Sequence, residues 1–252
     1  MIYFKEYAKP KIIEEAYEIL TSKNAKIIGG ATFLKLSNQS FDVAIDLIDA
    51  NLNFVNETET EVEIGSTVTL SKFEENPILS SFYNGFLKNI TKDILNLQMR
   101  NIITIGGTIF PKLGFSDLIT GLLVLDTEIY LFKNGKISLE KFLKTTIKKD
   151  IIEKIVIKKE NLKTSFENIR FSEYDFSILN VAVSKSNNTL KIAIGSRPSV
   201  ATLIKKPLEY FSNLEIDKLL ENVNFSDDIR ATKVYRKKVC KVLLKRALKE
   251  VL

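Results

Sequence analysis

Two pairs of adjacent glycines, Gly29-Gly30 and Gly106-Gly107, constrain the fold of this 252-residue chain more than any other feature of its sequence. Each pair follows a β-rich run and precedes a polar residue that can begin a helix. Because glycine has no Cβ, such a pair lets backbone N–H groups converge on a phosphate at the start of a helix. A glycine pair is also a common simple turn. The two pairs therefore indicate either a diphosphate ligand or two tight turns, and both interpretations stay open at this point.

The amino-acid composition excludes much side-chain chemistry, because the chain has no His, no Trp and a single Cys, Cys240. Without His there is no Ser-His-Asp or Cys-His triad and no imidazole metal ligand. With one Cys there is no internal disulfide, no thiolate zinc site and no iron–sulfur cluster held by this chain alone. The absence of Gly-x-Gly-x-x-Gly and Gly-x-x-x-x-Gly-Lys-Ser/Thr patterns disfavours a Rossmann site and a P-loop. Any catalysis must rest on carboxylates, lysines or a bound cofactor.

Predicted helices and strands alternate along the chain and indicate an α+β fold. A helix from Pro10 and apolar strands at 25–28 and 43–47 favour a small parallel sheet. The other predicted elements are strands within 53–69 and at 128–132, 151–157, 166–171, 176–184 and 190–195, and helices at 70–76, 79–97, within 104–125, and from Pro207, Leu214 and Asp228. We expect a two-part domain over 1–157, with a small parallel α/β subdomain and a mixed or antiparallel sheet subdomain. A C-terminal antiparallel sheet with helices is expected over 158–252.

The charge of the chain is distributed unevenly between these two parts. Residues 1–157 carry 18 basic and 20 acidic side chains, whereas residues 158–252 carry 19 basic and 11 acidic ones. A basic segment can bind nucleic acid, but these charges are spread over helical faces without interleaved aromatic residues. We therefore expect a solvated or partner-binding face and no nucleic acid. No apolar run is long enough to cross a bilayer, and the N-terminal residues are charged, so we expect a cytoplasmic protein without a membrane span.

The second glycine pair lies in a longer motif that resembles a known family. The motif runs Gln98-Met-Arg-Asn-Ile-Ile-Thr-Ile-Gly-Gly-Thr-Ile109, and Asp117-Leu-Ile and Leu122-Leu-Val-Leu-Asp-Thr-Glu-Ile129 follow it. Its order and spacing resemble the FAD-binding (medium) subunit of molybdenum hydroxylases, the xanthine dehydrogenase and carbon monoxide dehydrogenase flavoprotein family. Matching segments also occur at the first glycine pair, at 64–70 and at Asp228-Ile-Arg-Ala-Thr-Lys-Val-Tyr-Arg236. The resemblance thus covers essentially the whole chain.

This resemblance implies an oxidoreductase subunit with non-covalent FAD. In such a complex, electrons pass from a large molybdenum-cofactor (molybdopterin) subunit to [2Fe–2S] clusters on a small subunit. This chain would take them from those clusters and pass them to NAD or another acceptor. Such chemistry needs neither His nor Cys from this chain, because the cofactor supplies it.

The resemblance also implies which residues contact FAD. The first loop would wrap the pyrophosphate, the second would add backbone contacts, Asp117 would hydrogen-bond FAD hydroxyl groups, and Ile152 would lie near the isoalloxazine ring. These positions are Lys26, Ile27, Ile28, Gly29, Gly30, Ala31, Thr32, Phe33, Thr104, Ile105, Gly106, Gly107, Thr108, Asp117 and Ile152. No catalytic side chain and no metal ligand are expected.

Several residues depart from the family pattern and leave alternatives open. Ala31-Thr32 replaces Thr-Asp after the first pair, Thr108 replaces Asn after the second, and Asn168 replaces a lysine near the flavin. One alternative is a flavin-free family member that acts as a structural or assembly subunit, and another is an unrelated nucleotide-binding domain. At single residues, Asp117 has a second interpretation as a helix N-cap, and Cys240 is expected to be a packed, unreactive thiol.

Overall fold

The computed structural model describes residues 2–211 and 216–252, which form two compact units. The first unit comprises the described residues of Met1–Phe73, Leu97–Pro111 and Thr127–Lys159, and the second comprises those of Glu74–Asn96, Lys112–Asp126 and Glu160–Leu252. The described strands are β1 (Tyr3–Ala8), β2 (Ala25–Ile28), β3 (Ser40–Asp46), β4 (Val55–Glu57), β5 (Glu61–Gly65), β6 (Thr127–Leu131), β7 (Gly135–Ser138), β8 (Ile152–Lys158), β9 (Lys163–Ile169), β10 (Leu179–Lys185), β11 (Thr189–Gly195) and β12 (Thr202–Pro207). The described α-helices are α1 (Ile13–Ser22), α2 (Leu70–Glu75), α3 (Pro77–Ser81), α4 (Phe86–Asn89), α5 (Leu97–Arg100), α6 (Ile105–Ile109), α7 (Asp117–Leu123), α8 (Leu139–Lys144), α9 (Ile216–Leu220) and α10 (Lys233–Val251), and 3₁₀ turns lie at Leu34–Leu36 and Leu208–Phe211.

The first unit contains the parallel sheet that the sequence predicts. Its strand order is β1-β3-β2, and both neighbours run parallel to the central β3. Alternate residues of β3, Val43 and Ile45, pack with Ala16 and Leu20 of α1 because successive side chains of a strand point to opposite faces. The prediction of a small parallel sheet is confirmed. The glycine loop that follows β2 therefore leaves the sheet at its carboxyl edge.

The same unit contains a five-stranded antiparallel sheet in the order β4-β5-β8-β6-β7. Ile155 of β8 lies at its centre, opposite Ile64 of β5 and Ile129 of β6, and all three are fully buried. Ion pairs link β8 and the residue after it to the edge hairpin β4–β5, with Lys154 2.5 Å from Glu63 and Lys159 2.7 Å from Glu57. Apolar residues thus hold the middle of this sheet, and charged pairs cover its edge.

The second unit is built on a four-stranded antiparallel sheet in the order β12-β11-β10-β9. Helix α10 packs on β9 and β10, and its buried Leu243, Leu244 and Ala247 share a core with Leu179 and Val181. The helical spacing of these residues in the sequence agrees with a docked helix. An α+β chain with one parallel sheet, antiparallel sheets and a closing helix is what the sequence predicts, and this fold class is confirmed.

Helix boundaries differ from the sequence prediction in several places, and the helix expected from Asp228 begins at Lys233. The helix expected over 79–97 is interrupted, because Tyr83, Asn84 and Gly85 have φ values of 49°, 56° and 85° and end the helical path. The helix expected from Pro207 is absent there, since Pro207 ends β12 and a 3₁₀ turn follows it. Leu214, the expected start of another helix, lies outside the described residues. Across the described ranges, no helix is long and apolar enough to cross a membrane.

Cys240 is expected to react very slowly with thiol reagents in the folded protein. Its side chain is fully buried in the core under α10, and burial raises the pKa of the thiol to about 12. At pH 8 the thiolate fraction is therefore on the order of 10⁻⁴, and the thiolate is the reactive form. Ellman's reagent should label the native chain at least about a hundredfold more slowly than the same chain in guanidinium chloride. Equal rates in the two conditions would contradict the assignment of Cys240 as a packed thiol.

Candidate functional site

The first glycine loop begins where β2 ends, beside the end of the central strand β3. Ile28 pairs with Asp46, and the chain then turns at Gly30 (φ 84°) and Ala31 (φ 51°), both in the left-handed region. In the part of the chain that the structure describes, the backbone N–H groups of Gly30, Ala31 and Thr32 make no hydrogen bond. Successive unpaired N–H groups in such a turn form a concave donor surface that binds anions. This loop is therefore the part of the first unit best suited to a phosphate.

The second glycine loop is arranged differently, because its N–H groups already have partners. Thr104 caps α6 by accepting a hydrogen bond from the Gly107 N–H (3.0 Å), and the Thr108 hydroxyl donates to the Thr104 carbonyl (2.9 Å). The N–H of Ile105 donates to Val68, that of Gly106 to Ser66 and that of Thr108 to Thr104, at 2.8–3.0 Å. The N–H groups of Ile105, Gly106, Gly107 and Thr108 are thus all engaged in hydrogen bonds within the chain.

The two loops lie in direct contact within the first unit, and their glycines make that contact possible. A Cβ at Gly29 would lie 2.6 Å from Thr104 Oγ1 and 2.8 Å from the Cα of Gly107. A Cβ at Gly30 would lie only 2.1 Å from the carbonyl oxygen of Ile102. Such distances are too short for any real side chain. The structure therefore brings together the two segments that the resemblance assigns to FAD.

The remaining first-unit residues with an expected FAD contact differ in their exposure. Lys26 is exposed on β2, whereas Ile27 packs on the α1 side of the sheet. Phe33 is 45% exposed just before the 3₁₀ turn that follows the first loop. Ile152 is buried in β8, opposite Leu131 of β6. Among these residues, Phe33 offers the most accessible apolar surface.

Asp117 belongs to the second unit, where it is the first residue of α7 and only 3% exposed. Its Oδ1 accepts hydrogen bonds from Ser177 Oγ (2.7 Å) and Asn180 Nδ2 (2.5 Å), and its Oδ2 is paired with Arg170. The N-cap of α7 is Ser116, whose hydroxyl accepts a hydrogen bond from the Ile119 N–H (3.2 Å). Interpreting Asp117 as the helix cap is therefore wrong, and its carboxylate has another role.

The electrostatics of Asp117 result from opposing effects. Burial raises the pKa of this carboxyl above its ordinary value, whereas the charge of Arg170 and the hydrogen bonds from Ser177 and Asn180 favour the charged form. The planar guanidinium of an arginine matches the geometry of an ionised carboxylate, which is therefore its natural partner. A fully enclosed acid with three convergent donors is an unusual element of a core and is typical of functional sites.

The three partners of Asp117 were not found by sequence reasoning. Arg170, Ser177 and Asn180 lie 53 to 63 residues away from it along the chain, and no periodic pattern connects such distant positions. Asn180 alone carries a signal, because it interrupts the apolar strand β10 and is fully buried. Asn168, the residue that replaces the family's lysine, pairs with Asn180 across β9 and β10.

A family model described as the FAD binding domain in molybdopterin dehydrogenase matches residues 3–159. The chain belongs to this family. It is 27% identical to the glyceraldehyde dehydrogenase medium chain of Sulfolobus acidocaldarius over 274 aligned residues, which cover 97% of each chain. The predictions of this flavoprotein family, of the oxidoreductase class and of FAD as the family's cofactor are confirmed.

Solved structures show the same fold at low sequence identity. A chain of reconstituted CO dehydrogenase from Oligotropha carboxidovorans aligns with a TM-score of 0.86 and 20% identity, over 98% of this chain and 97% of that one. A chain of quinoline 2-oxidoreductase from Pseudomonas putida 86 aligns with a TM-score of 0.84 and 17% identity, over 98% and 96%. Both units of the present chain are therefore built as in these proteins.

The closing motif that matches the family has a structural explanation. Asp228 Oδ1 accepts hydrogen bonds from the N–H groups of Arg230 (2.8 Å) and Ala231 (3.0 Å) and lies 2.5 Å from Arg236 Nη2. Thr232 caps α10 by accepting a hydrogen bond from the Tyr235 N–H (3.2 Å). The motif thus builds the turn before α10 and anchors the helix.

Proposed function

We propose that this chain binds one FAD without a covalent bond and serves as the electron-transfer subunit of a molybdenum-dependent hydroxylase or dehydrogenase. The observation that carries this proposal is the first glycine loop, where Gly30 and Ala31 are left-handed and three successive N–H groups have no partner among the described residues. These donors suit the two phosphates of FAD, because backbone N–H groups bind phosphate whatever the side chains are. The replacement of Thr-Asp by Ala31-Thr32 therefore leaves the donor surface intact.

The other expected contacts follow from the placement of their residues. We propose that Lys26 to Phe33 wrap the pyrophosphate. We also propose that Thr104 to Thr108 pack against the first loop through Gly107 and stabilise its conformation, since the N–H groups of residues 105–108 are already hydrogen-bonded within the chain. Ile152 supplies an apolar contact near the isoalloxazine ring, and Asp117 accepts hydrogen bonds from FAD hydroxyl groups. We also propose that residues 1–157 form the FAD-binding domain and that residues 158–252 form the C-terminal domain.

The chain's own residues bind and orient the cofactor and leave the redox step to it. When bound, FAD accepts electrons singly or as hydride. The one thiol, Cys240, is buried, so the chain has no exposed sulfur ligand for a cluster. We therefore propose that the electrons come from [2Fe–2S] clusters on a small subunit, which in turn receives them from a large molybdenum-cofactor subunit. NAD or another acceptor would take them up, and the complex would be cytoplasmic.

Titration of the purified chain with FAD is expected to quench flavin fluorescence and to raise the melting temperature. Because FAD would bind the folded state alone, a concentration of 100 Kd should stabilise the chain by about 2.7 kcal/mol. FMN and ATP serve as controls, since each lacks part of the FAD molecule and should stabilise the chain less. No flavin in the purified protein and no change with added FAD would contradict the proposal. An apo-chain that still co-purifies with the large subunit would instead support the structural-subunit alternative.

A further inference from the structure

The Asp117 carboxylate is the centre of a buried polar network in the second unit. Donors reach it from the residue after β9, from the loop that follows and from β10, namely Arg170, Ser177 and Asn180. Thr120, one turn further along α7, donates to the Oδ1 of Asn180 (2.9 Å). Carboxylate, amide and hydroxyl thus form a chain of hydrogen bonds in which each group fixes its neighbour.

Arg170 closes this network on the side of Oδ2. Its side chain is 9% exposed, and its Nη1 donates to the carbonyl of Asp175 (2.7 Å) while its Nη2 pairs with Asp117. The Nε of Arg170 is buried and makes no hydrogen bond within the described residues. A buried donor without an acceptor is costly, so this atom favours a bound group that brings an oxygen.

The surrounding backbone leaves room for the network and holds it in place. A Cβ at Gly195 would lie 2.2 Å from both Asn180 Oδ1 and Thr120 Oγ1, so only glycine fits beside them. The loop that carries Arg170 and Ser177 is anchored by Arg230, whose Nη1 donates to the carbonyl of Phe176 (3.1 Å). This contact helps to hold the loop that carries two of the donors to Asp117.

We propose that Arg170 is a positioning residue for FAD binding, which holds the Asp117 carboxylate in the orientation in which it accepts hydrogen bonds from FAD hydroxyl groups. This inference rests on the proposed function, in which Asp117 contacts FAD. Ser177 and Asn180 both bind Oδ1, so without Arg170 the Oδ2 atom has no fixed partner. An ionised carboxylate offers about four acceptor positions, and three are used, so capacity for a ligand hydroxyl remains.

Substitution of Arg170 tests this role through FAD affinity measured on the full-length chain. Arg170→Gln is expected to weaken FAD binding about 10- to 100-fold in a flavin-fluorescence titration. Arg170→Lys should recover part of the loss, because it keeps the charge but not the planar fork. Arg197→Gln is the matched control, since it removes a guanidinium that donates to the carbonyls of Asn224 and Val200 (2.8 Å each) and pairs with no carboxylate among the described residues. The control should keep FAD affinity within about twofold of the wild type.

A double-substitution cycle distinguishes positioning from general support of the fold. In an Asp117→Asn background, Arg170→Gln should cause no further loss of FAD affinity, because its effect passes through the carboxylate. An equal loss in both backgrounds, or wild-type affinity in Arg170→Gln, would overturn the inference. If Arg170→Gln does not fold, Arg170→Lys takes its place, because it lacks the planar fork that holds Oδ2, and wild-type affinity in that variant would overturn the inference as well. A wild-type chain that binds no FAD would contradict the proposed function and the inference together, whereas normal wild-type binding with unaffected variants would overturn the inference alone.

Discussion

Gly30→Ala is expected to abolish measurable FAD binding and to lower the melting temperature of the apo-protein by roughly 5–15 °C. Gly30 has a φ of 84°, a conformation that costs residues with a Cβ about 1–2 kcal/mol. The new Cβ would also lie 2.1 Å from the oxygen and 2.6 Å from the carbon of the Ile102 carbonyl. These are backbone atoms that cannot rotate away, so the loop itself must shift. Thermal unfolding and a flavin-fluorescence titration measure the two effects.

Gly135→Ala is the matched control for this substitution. Gly135 also has a positive φ (65°), but among the described residues no heavy atom beyond its chain neighbours lies within 4 Å of the position that its Cβ would take. It lies in the first unit, at the start of β7, and has no expected contact with FAD. Its replacement should cost about 1 kcal/mol from backbone strain alone and leave FAD affinity unchanged. Equal stability losses in the two variants would show that the approach of Gly30 to Ile102 has no energetic consequence.

The parts of the fold that sequence reasoning found are those with a local signal. The strand at Ala25–Ile28 was predicted at its observed bounds, because an apolar run between a helix and a glycine pair has few alternatives. The glycine pairs were recognised as special positions, and the structure shows the reason in the close approach of Gly29 to Gly107. The glycine pairs in the sequence therefore predict the two loops, whereas the contact between the loops is seen only in the tertiary structure.

Two strands that sequence reasoning missed are held by pairing with another strand. Strand β1 carries Lys5 and Glu6 and has no apolar alternation, and it forms because its backbone pairs with β3 some 37 residues later, from Tyr3 opposite Ser40 onward. Strand β12 contains Lys205 and Lys206 and is extended by its partner β11 in the same way. In both strands, pairing with a neighbouring strand outweighs the low intrinsic β-propensity of the charged residues. The partners of Asp117 escaped for the same reason, since a buried ion pair leaves no periodic trace in the sequence.

Arg236→Met is expected to destabilise the chain by about 3–5 kcal/mol, as measured by chemical or thermal unfolding. The Arg236 side chain is 1% exposed, and its Nη1 donates to the carbonyls of Ile178 (3.0 Å) and Ser196. Its Nη2 lies 2.5 Å from Asp228 Oδ1. Methionine has a similar length and no charge, so two buried carbonyl groups would lose this donor and the Asp228 carboxylate would lose its charged partner.

Arg246→Met on the same helix is the control, because Arg246 is exposed, and its replacement should change stability by less than about 0.5 kcal/mol.

The pH dependence of the stability difference between wild type and Arg236→Met follows from the carboxyl group of Asp228. Burial works to raise the pKa of its carboxyl, but the N–H groups of Arg230 and Ala231 and the charge of Arg236 hold that pKa below the ordinary value of 3.8. A depressed carboxyl pKa contributes stability above the unfolded-state pKa and loses it as the pH falls through the folded-state pKa. The difference between wild type and Arg236→Met should therefore stay constant from about pH 8 to pH 5 and shrink only in stronger acid. A melting temperature of Arg236→Met equal to that of the Arg246→Met control would show that this buried guanidinium does not anchor α10.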